Sequence, residues 1–268
     1  MQYVGNASNF PQDKTRMTTT LTQRPGKRSW PLGIPVLGVL LVLAYLVLVP
    51  LTILLISSLT PSGLPFDPGW TLRNYLQVYT DPNFWDMVWV TLKFAFGSML
   101  GALVLGIALA WLVERTDLPG KTSIRILLTL PMAIPPFLLA IGWIMLLSPR
   151  IGVINTILRD TFGLAEAPFN IYSVTGMVFV QALSLVPSTF LILSPAFRNM
   201  DPSLEEAAMT SGAGRYHLFT RIFIPLLAPA LLAAAMFMLM VGFLVFDVPG
   251  TLGMPVNIFV LSSRILYL

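Results

Sequence analysis

The chain has 268 residues, of which 56% are hydrophobic and 10% charged, and its formal net charge is +4. Soluble domains carry about 25% charged residues, so a chain of this balance, with a mean hydropathy of +0.79, cannot hide its apolar surface in water and belongs in a membrane. The lack of cysteine excludes a disulfide framework, a thiolate metal centre and a cysteine nucleophile, and a single histidine, His217, offers no imidazole cluster for zinc.

A helix needs about 20 apolar residues to cross the hydrocarbon core. Five stretches qualify: Pro35 to Leu59, Met87 to Val113, Ile124 to Leu147, Ile171 to Ala196 and Leu226 to Phe246. None alternates with the period of a barrel strand, so the expected fold is an all-α, polytopic helix bundle. The first stretch is too long for a signal-peptide core and lacks a small-residue cleavage site, which makes it a retained helix. Residues 1–29 ahead of it are expected to be a disordered cytoplasmic tail, with Met17 as an alternative start.

Basic residues orient the spans, because cytoplasmic loops are enriched in Lys and Arg. The tail carries Lys14, Arg16, Arg24, Lys27 and Arg28. The connection after the second span carries Arg115, Lys121 and Arg125, and the one after the fourth carries Arg198, Arg215 and Arg221. The opposite side holds only Arg73, Arg150, Arg159 and Arg264. The expectation is a cytoplasmic N-terminus. The outer connections, 60–86 and 148–170, hold short amphipathic pieces, Leu72–Val78 and Val153–Leu158. Neither is large enough to form a binding domain, so any solute would be captured by another protein.

The second span repeats small residues at Ser98, Ala102, Gly106 and Ala110, beside Gly97 and Gly101. Such a face lets backbones approach closely, whether within the bundle, in self-association or along a pore. In the third span, Pro131, Pro135 and Pro136 each remove a backbone donor, as Pro187 does in the fourth. They are either static kinks or parts of a gate. Gln181, Ser184 and Ser188 fall at +3 and +4 steps on one face of the fourth span. Intramembrane polar groups of this kind either line a pathway or bond between helices. Lys93 and Asp86, near the outer face, suit snorkelling or pairing.

No catalytic set is visible, because His217 lies in a loop and no Asp lies deep in a span, so the chain is not expected to be an enzyme. Gly120-Lys121-Thr122 lacks the glycine that a phosphate-binding loop places five residues earlier, where Arg115 stands, and no strand precedes it. Nucleotide is therefore expected to bind another chain. A secondary carrier would carry a buried ionisable coupling residue or broken inverted repeats, and neither is evident.

The segment from Asp201 to Pro225 is the most informative. Asp201-Pro202 reads as a helix start, with Glu205 and Glu206 near the positive end of the helix dipole. Gly212 and Gly214 punctuate the segment, and Tyr216, Leu218, Phe219, Ile222 and Phe223 begin a second amphipathic stretch that reaches Pro225 at the membrane. The expectation is two short cytoplasmic helices joined by a glycine turn. Taken alone, they could equally be a connector lying on lipid.

Glu206-Ala207-Ala208, three residues, Gly212, nine residues, then Ile222-Phe223-Ile224-Pro225 resembles the EAA signature of ABC importer permeases, with Ile224 in place of the usual Leu. Trp70 through Tyr75 and Glu114 through Lys121 look like the family's flanks of the second span. Ser148 through Asn155 and Phe246 through Pro255 look like permeases of iron(III)-type importers, often single chains holding two permease halves, so the resemblance implies iron(III) as the solute, with a polyamine, thiamine, phosphonate or another small solute as the alternatives. The resemblance covers residues 30–268 and implies a type I importer membrane domain, with 201–225 as the ATPase-coupling loop and Glu206, Ala207, Ala208, Gly212, Ile222 and Pro225 as its marker residues. It also implies a bacterial inner-membrane location, a separate ATPase that consumes ATP, and a periplasmic or lipid-anchored binding protein. A second permease half, fused or separate, completes the set. No metal or cofactor is expected on this chain, and its other contacts would be membrane lipid rather than nucleic acid. Family halves carry six spans, so a sixth is expected beyond the apolar end Ile265-Leu266-Tyr267-Leu268.

Overall fold

The computed structural model describes residues 34–265, and every regular element among them is a helix. The tail of residues 1–29 lies outside the described residues, as does Met17. The chain divides into two units, 1–76 and 77–268.

In the first unit, helix α1 (Ile34–Ser58) is apolar along its length and passes through Pro50. The Thr52 hydroxyl turns back onto the carbonyls of Leu48 and Val49, each at 2.9 Å. Beyond α1, Asn74 anchors the loop. Its Nδ2 donates to the carbonyls of Ser58 (3.2 Å) and Thr60 (2.8 Å), while the Thr71 amide reaches the Leu59 carbonyl at 2.7 Å. The Trp70–Tyr75 stretch is thus folded back on the end of α1. Helix α2 (Arg73–Thr80) crosses the boundary between the units.

The second unit is organised on α3 (Phe84–Arg115) and α7 (Val174–Arg198), with α10 (Ile224–Leu244) packed on both. The small-residue face of α3 meets α7. Gly97 abuts Val178, Gly101 abuts Ala182 and Gly106 abuts Thr189, so the two helices run in the same direction. A Cβ on Gly106 would overlap Thr189 Cγ2, and one on Gly101 would lie 2.8 Å from Ala182 Cβ. Missing side chains are what allow this closeness. Helix α7 continues through both Pro187 and Pro195.

The expected third span is not one helix. α4 (Lys121–Thr129) leads into a tight 3₁₀ turn at Leu130–Ala133, and α5 (Pro136–Leu147) then departs at 101°. Three prolines cannot donate to the helical ladder, and Pro136 forces Pro135 into an extended backbone (ψ 134°). Among the described residues, four helices are long and apolar enough to cross a membrane, or five spans if the bent pair counts as one.

Helix α6 (Val153–Phe162) matches the expected amphipathic piece. Its fully buried Asn155 donates to the carbonyls of Leu147, Ser148 and Phe169 and accepts from the Phe169 amide. After α10 the chain folds back through a π-helical turn at Pro249–Gly253 to α11 (Leu261–Ile265). Val248, Leu252 and Val260 are buried there, and the Leu261 amide donates to Thr91 Oγ1 at 3.0 Å.

Candidate functional site

The expected loop forms at the end of α7. Asp201 caps α8 (Pro202–Thr210), its carboxylate accepting from the Ser203 amide at 2.9 Å with Pro202 at the first helical position. That bond holds the Asp201 carboxyl below its usual range. At the other end, the hydroxyls of Thr210 and Ser211 donate to the Glu206 and Ala207 carbonyls at 2.6 and 2.8 Å. The chain then reverses at Gly212, whose φ is +80°. A Cβ on Gly212 would meet nothing within 4 Å, so the glycine is required by backbone angle and not by space.

The second stretch departs from expectation. α9 (Arg215–Leu218) is not a separate short helix. It passes through a π-helical turn, Phe219–Phe223, directly into α10. Pro225 has no amide to give to Arg221, and the Ile224 amide reaches back five residues to the Phe219 carbonyl.

The motif residues divide by environment. Glu206, Ala207, Gly212 and Pro225 are exposed. Ala208 and Ile222 are half-buried against a core of Phe197, Met200, Leu218, Phe223 and Leu227. With Leu204, Met209 and Tyr216 also exposed beside Glu206, Thr210 and His217, α8 and α9 present a mixed outer surface over a base formed by Ala208 and Leu218.

Beneath the loop lies an ionic cluster. The Glu114 side chain is 2% exposed. It accepts from Arg125 Nη2 and Nε (2.7 and 3.1 Å), from Arg198 Nη2 and Nε (3.2 and 3.3 Å) and from the Ser194 hydroxyl. Arg115 lies 5.7 Å from the Phe223 ring centroid and donates to the Met200 carbonyl at 3.4 Å. Trp111, Arg115, Met209, Leu218 and Phe223 help to line a cavity of about 260 Å³ here. Sequence reasoning missed this cluster. Arg115, Arg125 and Arg198 registered only as orienting charges, and no spacing signal along the chain pairs Glu114 with Ser194 or Arg198.

Gln181, Ser184 and Ser188 do not share one environment. Gln181 is 2% exposed, with its Oε1 buried and lacking a hydrogen-bond partner, whereas the two serines are half-buried. Lys93 lies 5.6 Å from the Trp89 ring centroid, and Asp86 lines a cavity with Asp81, Asn83 and Arg264. Gly120, at φ +75°, turns the chain from α3 into α4, with no strand before it. Among the described residues, no three His, Cys, Asp or Glu side chains gather as metal ligands would.

The chain is 35% identical over 156 residues to the molybdenum transport system permease protein ModB of Escherichia coli K12, an alignment covering 58% of this chain and 65% of ModB. It is 28% identical over 197 residues to the putative ferric transport system permease protein FbpB 1 of Haemophilus influenzae, covering 73% of this chain and 30% of that protein. The chain therefore spans less than two thirds of either relative. The membrane fold resembles a chain of a bacterial alginate ABC transporter solved with a periplasmic protein, at a TM-score of 0.71 and 21% identity, covering 89% of this chain and 83% of the other. Residues 102–267 match the family described as "Binding-protein-dependent transport system inner membrane component", and the chain belongs to that family.

Proposed function

We propose that the chain is the membrane-spanning subunit of an ATP-driven importer, forming a solute pathway with a second permease half and taking its energy from a separate ATPase. The observation that carries this reading is the α8–α9 element. It is a capped helix turned by a glycine at positive φ, exposed on one side and packed on the other, with the EAA spacing running through it. In this reading the exposed face of α8 enters a cleft on the ATPase. ATP binding then need supply only a differential affinity of a few kcal/mol between two permease conformations. A periplasmic or lipid-anchored binding protein delivers the solute, and the N-terminus and residues 201–225 face the cytoplasm, as the Lys and Arg distribution supports.

The solute is proposed to be iron(III), on the resemblance of residues 148–155 and 246–255 and the alignment with a ferric transport permease. A molybdenum-type solute is the second reading, favoured by the 35% identity to ModB. Uptake of radiolabelled ferric citrate and molybdate by cells expressing the complete system separates them.

The coupling role is tested by pull-down of the ATPase alongside uptake. Gly212→Val places a β-branched residue at positive φ, so the turn must distort, and both readouts should fall sharply. Gly212→Asn, which tolerates that backbone, should be milder. Glu206→Lys should weaken docking modestly, as rim charges do. If Gly212→Val retains full uptake and full ATPase binding, the loop is not the coupling element. Reporters at Arg125 and Arg215 should read cytoplasmic, and those at Asn74 and Asn155 periplasmic.

A further inference from the structure

Glu114 and Arg115 are neighbours at the end of α3, and they reach in different directions. Glu114 takes Arg125 from α4, and Arg198 and Ser194 from the last turns of α7. Arg115 takes the Met200 carbonyl just beyond α7 and lies over Phe223 in the π-helical turn. The root of the loop is therefore held from both sides, and α8 begins only four residues after Arg198. The far end of α4 runs into the Pro131–Pro136 break, where the chain bends by 101°. Backbone already lacking donors can change its angle there with few hydrogen bonds to lose.

We infer that Glu114 is a positioning residue that joins α4 and the 202–218 loop into one lever, with the compliance of the system placed at the Pro135–Pro136 elbow. Displacement of the loop then swings α4 against α5. This inference rests on the importer reading, in which the loop is what the ATPase moves.

The asymmetry of exposure supports a joining role over a merely stabilising one. The Arg125 and Arg198 side chains are 36% and 58% exposed, while the Glu114 side chain is 2% exposed. Each cation is hydrated well enough to stand without its partner, and exposed pairs add little to stability. The desolvated carboxylate is the element that draws on both and cannot lose the two together. Glu114→Gln keeps the volume, but its amide can accept from only one side and presents N–H groups to the other. It breaks the link between α4 and α7 without opening a cavity.

The chain has no cysteine, so spin labels can be placed without background. Thr122→Cys on α4 is paired with His217→Cys on α9, and separately with Met145→Cys on α5. Distances are measured by pulsed electron resonance in nanodiscs, with the ATPase bound, without nucleotide and with ATP. In the lever arrangement the 122–217 distance stays constant within the ~1–2 Å of ordinary helix shifts, while 122–145 changes by more. In Glu114→Gln, the 122–217 distribution broadens, ATPase recovery in pull-down is unchanged, and ATP hydrolysed per solute imported rises several-fold. A 122–217 distance that changes with nucleotide in the wild type, or one that stays narrow in Glu114→Gln, overturns the inference. If no ATPase binds the wild type, it is the importer reading that fails. The 122–217 width of the isolated permease, with and without Glu114→Gln, still decides whether Glu114 joins α4 to the loop.

Discussion

The seam between α3 and α7 and the ionic cluster at its end hold the same two helices by opposite means. Along the seam the helices touch because side chains are missing: Gly97, Gly101 and Gly106 on α3 sit against Val178, Ala182 and Thr189 on α7. At the end, they are joined because one long side chain, Glu114, collects donors from Ser194 and Arg198. The seam is intolerant of volume, and the cluster is intolerant of losing partners. A helix pair in lipid gains no hydrophobic force from association, so close packing carries the interior and charge is reserved for the end, where water meets the arginines.

The seam breaks first. Gly106→Val should abolish accumulation in the membrane, because a side chain there overlaps Thr189 from its first carbon. Gly106→Ala should cost about 1–3 kcal/mol by overpacking, read as a lower melting temperature in detergent. Adding Thr189→Ser removes the offending methyl and keeps a hydroxyl for the Leu185 carbonyl, so it should recover part of that loss. If Gly106→Val accumulates normally, the seam is looser than described.

The cluster should break differently. Arg125→Ala and Arg198→Ala are each expected to be mild, because the other guanidinium still serves Glu114. Together they leave a buried carboxylate without a cation, and the double variant should lose more than the sum of the singles. Strict additivity in melting temperature would show that Glu114 is already solvated. Asn155→Ala, by removing bonds to two segments at once, residues 147–148 and Phe169, should cost about 1–3 kcal/mol. It should also make residues 163–170 a site of proteolysis while leaving the seam intact. The smallest effect belongs to Asp201. Its lowered carboxyl makes its contribution complete above the ordinary Asp pKa of about 3.9, and that contribution fades as pH falls through the lowered value. At neutral pH Asp201→Asn, which also caps, should be silent in uptake and ATPase binding.

Much of this was legible along the chain. Span positions follow from apolar length, and α8 begins where Asp201-Pro202 predicts, with the chain reversing at Gly212 at positive φ. The 101° elbow was legible only as proline content, since the missing donors say that a helix is interrupted but not by what angle. The Glu114 cluster was not legible, because its arginines stand 11 and 84 residues from Glu114 and each reads alone as a membrane-orienting charge. Asn155 was hidden for the same reason. Its value lies in carbonyls at Leu147 and Phe169, and a backbone carbonyl has no residue identity to read.

The π-helical turn at Phe219–Phe223 sets how α10 is phased. The buried positions along it are Leu218, Phe223, Leu227, Ala234, Met238 and Gly242. From Phe223 onward they follow steps of four and seven, the spacing that keeps one side of an α-helix inward. The step from Leu218 to Phe223 is five, which in an unbroken α-helix would carry Leu218 to another side. The widened turn absorbs the additional residue, so the loop and the membrane helix point their apolar sides into one core although their registers differ by one. Removing a single residue between 219 and 222 together with Pro225→Ala, which restores the amide that an ordinary turn needs, would then convert the wide turn to an ordinary one and leave both sides facing inward, so that the chain's length changes without rotating the remainder of α10.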